Sequence, residues 1–133
     1  MPAITGTFDV TITPETLSDT AAQSGLGRLS LAKRYHGPLD AGAQGEMLSV
    51  RAGVPGSAGY VALERVEGTL DGRHGSFYLQ HSGTMTRGAP SLSVTVVPDT
   101  GTGQLQGLSG SLAIRIEEGK HYYDFTYDIA EVQ

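Results

Sequence analysis

The stretch Tyr60-Val-Ala-Leu-Glu-Arg-Val-Glu-Gly-Thr-Leu70, followed by Asp71-Gly-Arg-His74 and Gly75-Ser-Phe-Tyr-Leu-Gln-His81, decides the fold. Two runs suited to extended strands flank a short Asp/Gly turn, the pattern of an antiparallel hairpin. A two-residue loop at Gly72–Arg73, or a four-residue loop at Asp71–His74, sets residue 70 opposite 75 and fixes the register. Counting back, Gly68 faces Phe77, Val66 faces Leu79 and Glu64 faces His81. Phe77 and Leu79 then point inside, and Glu64 and His81 share that interior face with Tyr60. A loop of the other parity turns Arg65 and Gln80 inward instead.

Working outward, the same period of two recurs. Phe8, Val10 and Ile12 alternate with Thr7, Asp9 and Thr11; Leu29, Leu31, Lys33 and Tyr35 with Arg28, Ser30, Ala32 and Arg34. Leu92, Val94 and Val96 alternate with Ser91, Ser93 and Thr95, and Tyr123, Phe125, Tyr127 and Ile129 with Tyr122, Asp124, Thr126 and Asp128. One face of each run is apolar and the other is wet. Turn signals such as His36-Gly-Pro38, Val54-Pro-Gly-Ser57, Arg87-Gly-Ala-Pro90 and Pro98-Asp-Thr-Gly101 separate the runs. The predicted strands are 4–13, 27–36, 45–53, 58–70, 74–85, 91–97, 102–116 and 121–131. Region 14–25 is the place for a helical turn or a long loop. The reading is all-β: a single eight-stranded antiparallel β-barrel domain over residues 1–133, with a two-layer sandwich as the alternative.

Composition narrows the chemistry. The 133 residues include no Cys, which removes disulfides, thiolate metal ligands and a thiol nucleophile. A formal net charge of −5 speaks against a nucleic-acid partner. No apolar run approaches a membrane span, and Met1-Pro-Ala3 leads into no basic and apolar leader, so no membrane association and a cytoplasmic location are expected. The 19 glycines, about twice average usage, fit turns and barrel corners. His36, His74 and His121 fall at turns or strand ends without metal-ligand spacing, so no metal is expected, and without a phosphate loop or dinucleotide fingerprint no cofactor is expected either.

Glu64 opposite His81 on an apolar face is a candidate catalytic acid/base pair; the bland reading is a buried charge neutralised by its partner. Lys33 interrupts an apolar face and either points inward to pair with Glu64 or carries its ammonium to the rim. Tyr35, Tyr60, Tyr123 and Tyr127, with Phe77, Leu79 and Phe125, are expected on interior faces, as core or as walls of a ligand cup. Three functions compete: a cofactor-independent isomerase or cyclase acting on a small hydrophobic molecule, a lipocalin-like carrier of such a molecule, or a filled barrel that oligomerises. Val61, Leu63 and Arg65 on the outward side of their strand motivate the third, and a homo-oligomer, by default a dimer, suits all three.

The hairpin from Tyr60 to Gly83, with its Glu64-Arg65, Gly72-Arg73-x-Gly75-Ser76-Phe77 and Leu79-Gln80-His81-x-Gly83 elements, resembles the signature of a bacterial domain-of-unknown-function family with an allene-oxide-cyclase-like barrel. Val97-Pro-Asp-Thr-Gly101 through Gly110, and Tyr123-Asp-Phe-Thr-Tyr-Asp-Ile129, agree with it. The pattern Gly101-Thr-Gly103-x-Leu105-x-Gly107-x-x-Gly110 also looks like the strand entry of allene oxide cyclases and plant dirigent proteins. The resemblance implies an eight-stranded antiparallel barrel whose interior binds a hydrophobic substrate and steers its cyclisation or coupling without a cofactor. It carries over the fold and a cavity rather than a reaction.

Overall fold

The structure, a computed structural model, describes residues 2–131. Eight strands, β1 (Ala3–Pro14), β2 (Gly27–His36), β3 (Leu39–Arg51), β4 (Ala58–Leu70), β5 (Arg73–Thr86), β6 (Ala89–Val96), β7 (Leu108–Glu117) and β8 (Lys120–Ile129), follow one another around a closed antiparallel barrel, and β8 returns to β1. One short helix, α1 (Asp19–Gln23), interrupts the β1–β2 connection, where Ser18 caps it by accepting the Ala21 N–H at 3.1 Å. Among the described residues no helix is long and apolar enough to cross a membrane.

The hairpin that opened the reading forms with its register moved by two. Asp71 and Gly72 both take positive φ, 49° and 82°, and make a two-residue turn, so Leu70 pairs with Arg73, Val66 with Phe77, Glu64 with Leu79 and Ala62 with His81. Paired positive φ values match the right-handed twist of the strands, which is why the turn forms one residue earlier than expected. A shift of two preserves parity: Phe77, Leu79, Glu64 and His81 all point inward, while Arg65 and Gln80 remain outside.

Two boundaries are corrected. The third strand starts at Leu39, not at residue 45: Leu39, Ala41 and Ala43 alternate inward and are buried in one core with Phe8 and Tyr35, and two of the three are alanines. The seventh starts at Leu108, not at 102. Residues 97–107 instead cross one end of the barrel, and a single 3₁₀ turn at Gly103–Leu105 drives Leu105 into the lumen. Thr102 pins this segment to β5: its N–H donates to the Ser76 carbonyl at 2.8 Å, and its hydroxyl accepts the Ser76 N–H at 3.0 Å.

The two ends of the lumen therefore differ. Leu39, Leu70, Leu105, Leu108 and Tyr127 plug the closed end, and Phe77 stacks on Phe125 above them at 6.1 Å. At the other end Ile12, Met85, Leu92 and Ile116 have lumen parity yet are exposed, and they ring an open mouth. The strand pairings are equally uneven. β3–β4 and β4–β5 each align over 13 positions, whereas β6 meets β7 only at Thr95 and Ser111.

Candidate functional site

Glu64 lies at the centre of a buried polar cluster. Its Oε1 accepts from His81 Nε2 at 2.5 Å and from Lys33 Nζ at 2.9 Å, and its Oε2 accepts the Tyr35 hydroxyl at 3.0 Å. The side chains of Glu64, His81 and Lys33 are 0%, 3% and 5% exposed. Lys33 thus points inward and does not reach the rim. Its ammonium lies 5.1 Å from the centre of the Phe8 ring, a second favourable contact for a cation away from water.

The β3 wall makes room for this crossing. Its inward row is Ala41, Ala43 and Gly45, and a Cβ on Gly45 would come within 2.6 Å of the Glu64 Cα. Larger residues there would fill the space across which Lys33 and Tyr35 reach from β2 to β4. Sequence reading missed this row because alanine and glycine weigh little in strand patterns. The signal was present as Ala41-x-Ala43-x-Gly45, a period of two written in small residues.

Electrostatics follow from the geometry. Burial pushes the Glu64 carboxyl up, but hydrogen bonds from His81 and Lys33 and their charges outweigh it and hold the group below its ordinary value. Burial first, then the Glu64 charge, pushes the Tyr35 phenol well up, so it stays a neutral donor to that carboxylate. No fully buried side-chain nitrogen or oxygen among the described residues lacks a hydrogen-bond partner.

The mouth above it holds a cavity of about 360 Å³ lined by Met47, Ser49, Tyr60, Gly83, Met85 and Leu92, among others. Register places the cluster just beneath. Met47, Ala62 and His81 form one layer across β3–β5, and Ser49, Tyr60 and Gly83 form the next layer outward. The Tyr60 ring lies over Gly83, where a Cβ would come within about 3 Å of ring atoms, so the missing side chain gives the half-buried phenol its seat. Burial and then Glu64 push the Tyr60 phenol up.

The other residues read from the sequence lie deeper. Phe77, Leu79 and Phe125 belong to the apolar plug. The Tyr123 hydroxyl accepts the Leu39 N–H at 3.0 Å and donates to the His36 carbonyl at 3.0 Å, which clamps the β2–β3 turn. Tyr127 donates to the Asp71 carboxylate at the β4–β5 turn. The structure therefore brings Lys33, Tyr35, Glu64 and His81 together, sets Tyr60 above them, and places Tyr123 and Tyr127 on backbone and turn groups. Among the described residues no group of three or more His, Asp or Glu side chains is arranged to hold a metal.

Comparison with known proteins returns the same architecture. A family model described as "Protein of unknown function (DUF3224)" matches residues 4–127. The crystal structure of a protein with unknown function from the DUF3224 family of Shewanella oneidensis MR-1 superimposes with a TM-score of 0.93 at 50% identity, covering 99% of each chain. No curated protein matches the chain.

Proposed function

We propose, for a chain that belongs to the DUF3224 family of proteins of unknown function, that the barrel binds a small apolar molecule in its mouth. The observation that carries this reading is the mouth cavity. Met47, Val50, Met85 and Leu92 line it with one seated phenol, beside Ser49, Arg51, Thr84 and Ser91, and its volume falls within the ~300–1,000 Å³ of small-molecule sites. Ile12 and Ile116, of lumen parity at the same end of the barrel, are likewise left exposed. The neutral Tyr60 hydroxyl supplies one polar contact to orient the guest.

The uncharged fluorophore N-phenyl-1-naphthylamine tests it. Its emission is expected to rise on saturable binding at one site, and Leu92→Asp is expected to weaken that binding about tenfold or more by setting an unpaired charge in the wall. Binding that is non-saturable, or unchanged by Leu92→Asp, would overturn the reading.

The Glu64–His81 hydrogen bond favours a second reading, in which the bound molecule is also isomerised. Glu64, held ionised by Lys33 and Tyr35, fixes the imidazole through Nε2, and the other ring nitrogen is left to take a proton from a substrate carbon and return it to another. The Tyr60 hydroxyl would stabilise a developing enolate oxygen. No oxidant, reductant or cofactor enters such a step. In His81→Ala, retained ligand affinity with lost turnover supports the isomerase; a wild-type protein that turns over none of the molecules it binds supports a carrier.

A further inference from the structure

Strand β4 carries apolar side chains on its outer face over its mouth-side half. Inward it presents Tyr60, Ala62 and Glu64, and outward Val61 and Leu63, which are 54% and 55% exposed. Register extends the outer row across the sheet: Leu48 of β3 pairs with Val61, Val50 pairs with Gly59, and Tyr78 of β5 pairs with Arg65. All five apolar side chains are exposed. An antiparallel sheet with one wetted face carries polar residues there, so this row reads as a surface meant to be covered. Beside it the α1 segment walls a groove of about 910 Å³ floored by Leu48, Val61 and Leu63.

Charge indicates what covers it. The ionic groups bordering the row are already paired, Arg28 with Glu46 at 2.6 Å and Arg65 with Glu67 at 3.3 Å. The chain's net charge of −5 is therefore carried elsewhere, and this face can meet an identical face without bringing like charges together. A charged partner would find no complementary field here. Three strands spaced ~4.8 Å, over about seven residues of ~3.3 Å each, give roughly 300 Å² of outer face, on which the five apolar side chains are interleaved with Gln44, Gln80 and Ser82. That is a fitting centre for an interface burying ~800 Å² per partner, with the two ion pairs at its edge.

We propose that the outer face of β3–β5 packs on the same face of a second copy of this chain, around a two-fold axis near Val61 and Leu63. Such a sheet-on-sheet contact is self-complementary and closed, so assembly stops at the dimer. The mouth lies outside this contact, so the dimer stands whether or not the mouth binds a ligand.

Light scattering on the size-exclusion peak, loaded at about 100 µM, tests the proposal. The wild-type chain is expected at twice its 13.9 kDa mass. Leu63→Glu is expected at the single mass with an unchanged far-ultraviolet spectrum, while Ala113→Glu, on the outer face of β7, stays dimeric. Should Leu63→Glu fail to fold, the double variant Val61→Thr with Leu63→Thr keeps β-branched residues on the strand and is expected to raise the dimer dissociation constant about tenfold or more. A monomeric wild type overturns the proposal, whether a small molecule or another protein then occupies the face. So does a folded Leu63→Glu that remains a dimer, or a folded double variant that dissociates no more readily than wild type.

Discussion

Glu64→Gln is expected to cost the barrel about 3–5 kcal/mol, because it strands the Lys33 ammonium in a site only 5% exposed and turns one of the two oxygens that accept from His81 and from Tyr35 into an amide donor. For a chain of this size that is a fall of about 10–20 °C in melting temperature, read by circular dichroism. Lys33→Met added to Glu64→Gln is expected to recover part of the loss, since it removes the stranded charge and leaves a thioether of similar length. If the double variant is no more stable than Glu64→Gln alone, the pair does not act as a unit.

The same carboxylate sets a pH dependence of known sign. Its folded value lies below the ordinary 4.5, so its contribution is fully present above that value and is lost as pH falls through the lowered one. Urea midpoints measured from neutral pH downward are expected to fall less steeply in Glu64→Gln than in wild type. The surface pairs Arg28–Glu46 and Arg115–Asp124 also hold their carboxyls low, but solvent screens them and the slope belongs mainly to the buried group.

Leu105→Ala is the second large effect. Leu105 is 1% exposed and is delivered by a loop, so its neighbours Leu39, Leu70 and Leu108 cannot collapse onto the void without distorting their strands. A loss of about 2–5 kcal/mol in urea titration is expected. A loss under about 1 kcal/mol would mean that the 97–107 segment follows the truncated side chain inward. The mouth, at the far end of the lumen, is expected to keep its affinity for the fluorophore.

Strand alternation was legible wherever bulky residues wrote it, and the interior placement of Glu64 and His81 followed from the parity of the hairpin, while Lys33 stood between an inward pairing and the rim. The hairpin register was not, because a choice among Asp71, Gly72 and Arg73 for the turn rests on backbone angles that composition leaves open. Nor was the role of 97–107, where glycines suited to a bent strand serve a crossing segment tied down by Thr102. Tyr123 and Tyr127 were legible as core or cup walls, and they are core; that their hydroxyls hold turns is revealed only by the three-dimensional path of the chain.

The single pairing of β6 with β7 has a mechanical consequence. Laid flat, the molecule is a ribbon in the order β7-β8-β1-β2-β3-β4-β5-β6, curled until its two margins touch at Thr95 and Ser111. A barrel hydrogen-bonded all the way round has its girth set by strand number and stagger, whereas a hoop fastened by one clasp can widen by undoing it. Deuterium uptake is expected to be fastest, among strand amides, in 89–94 and 112–117, and slowest in β4, bonded along both sides. The mouth is then a collar whose diameter rests on a single pairing.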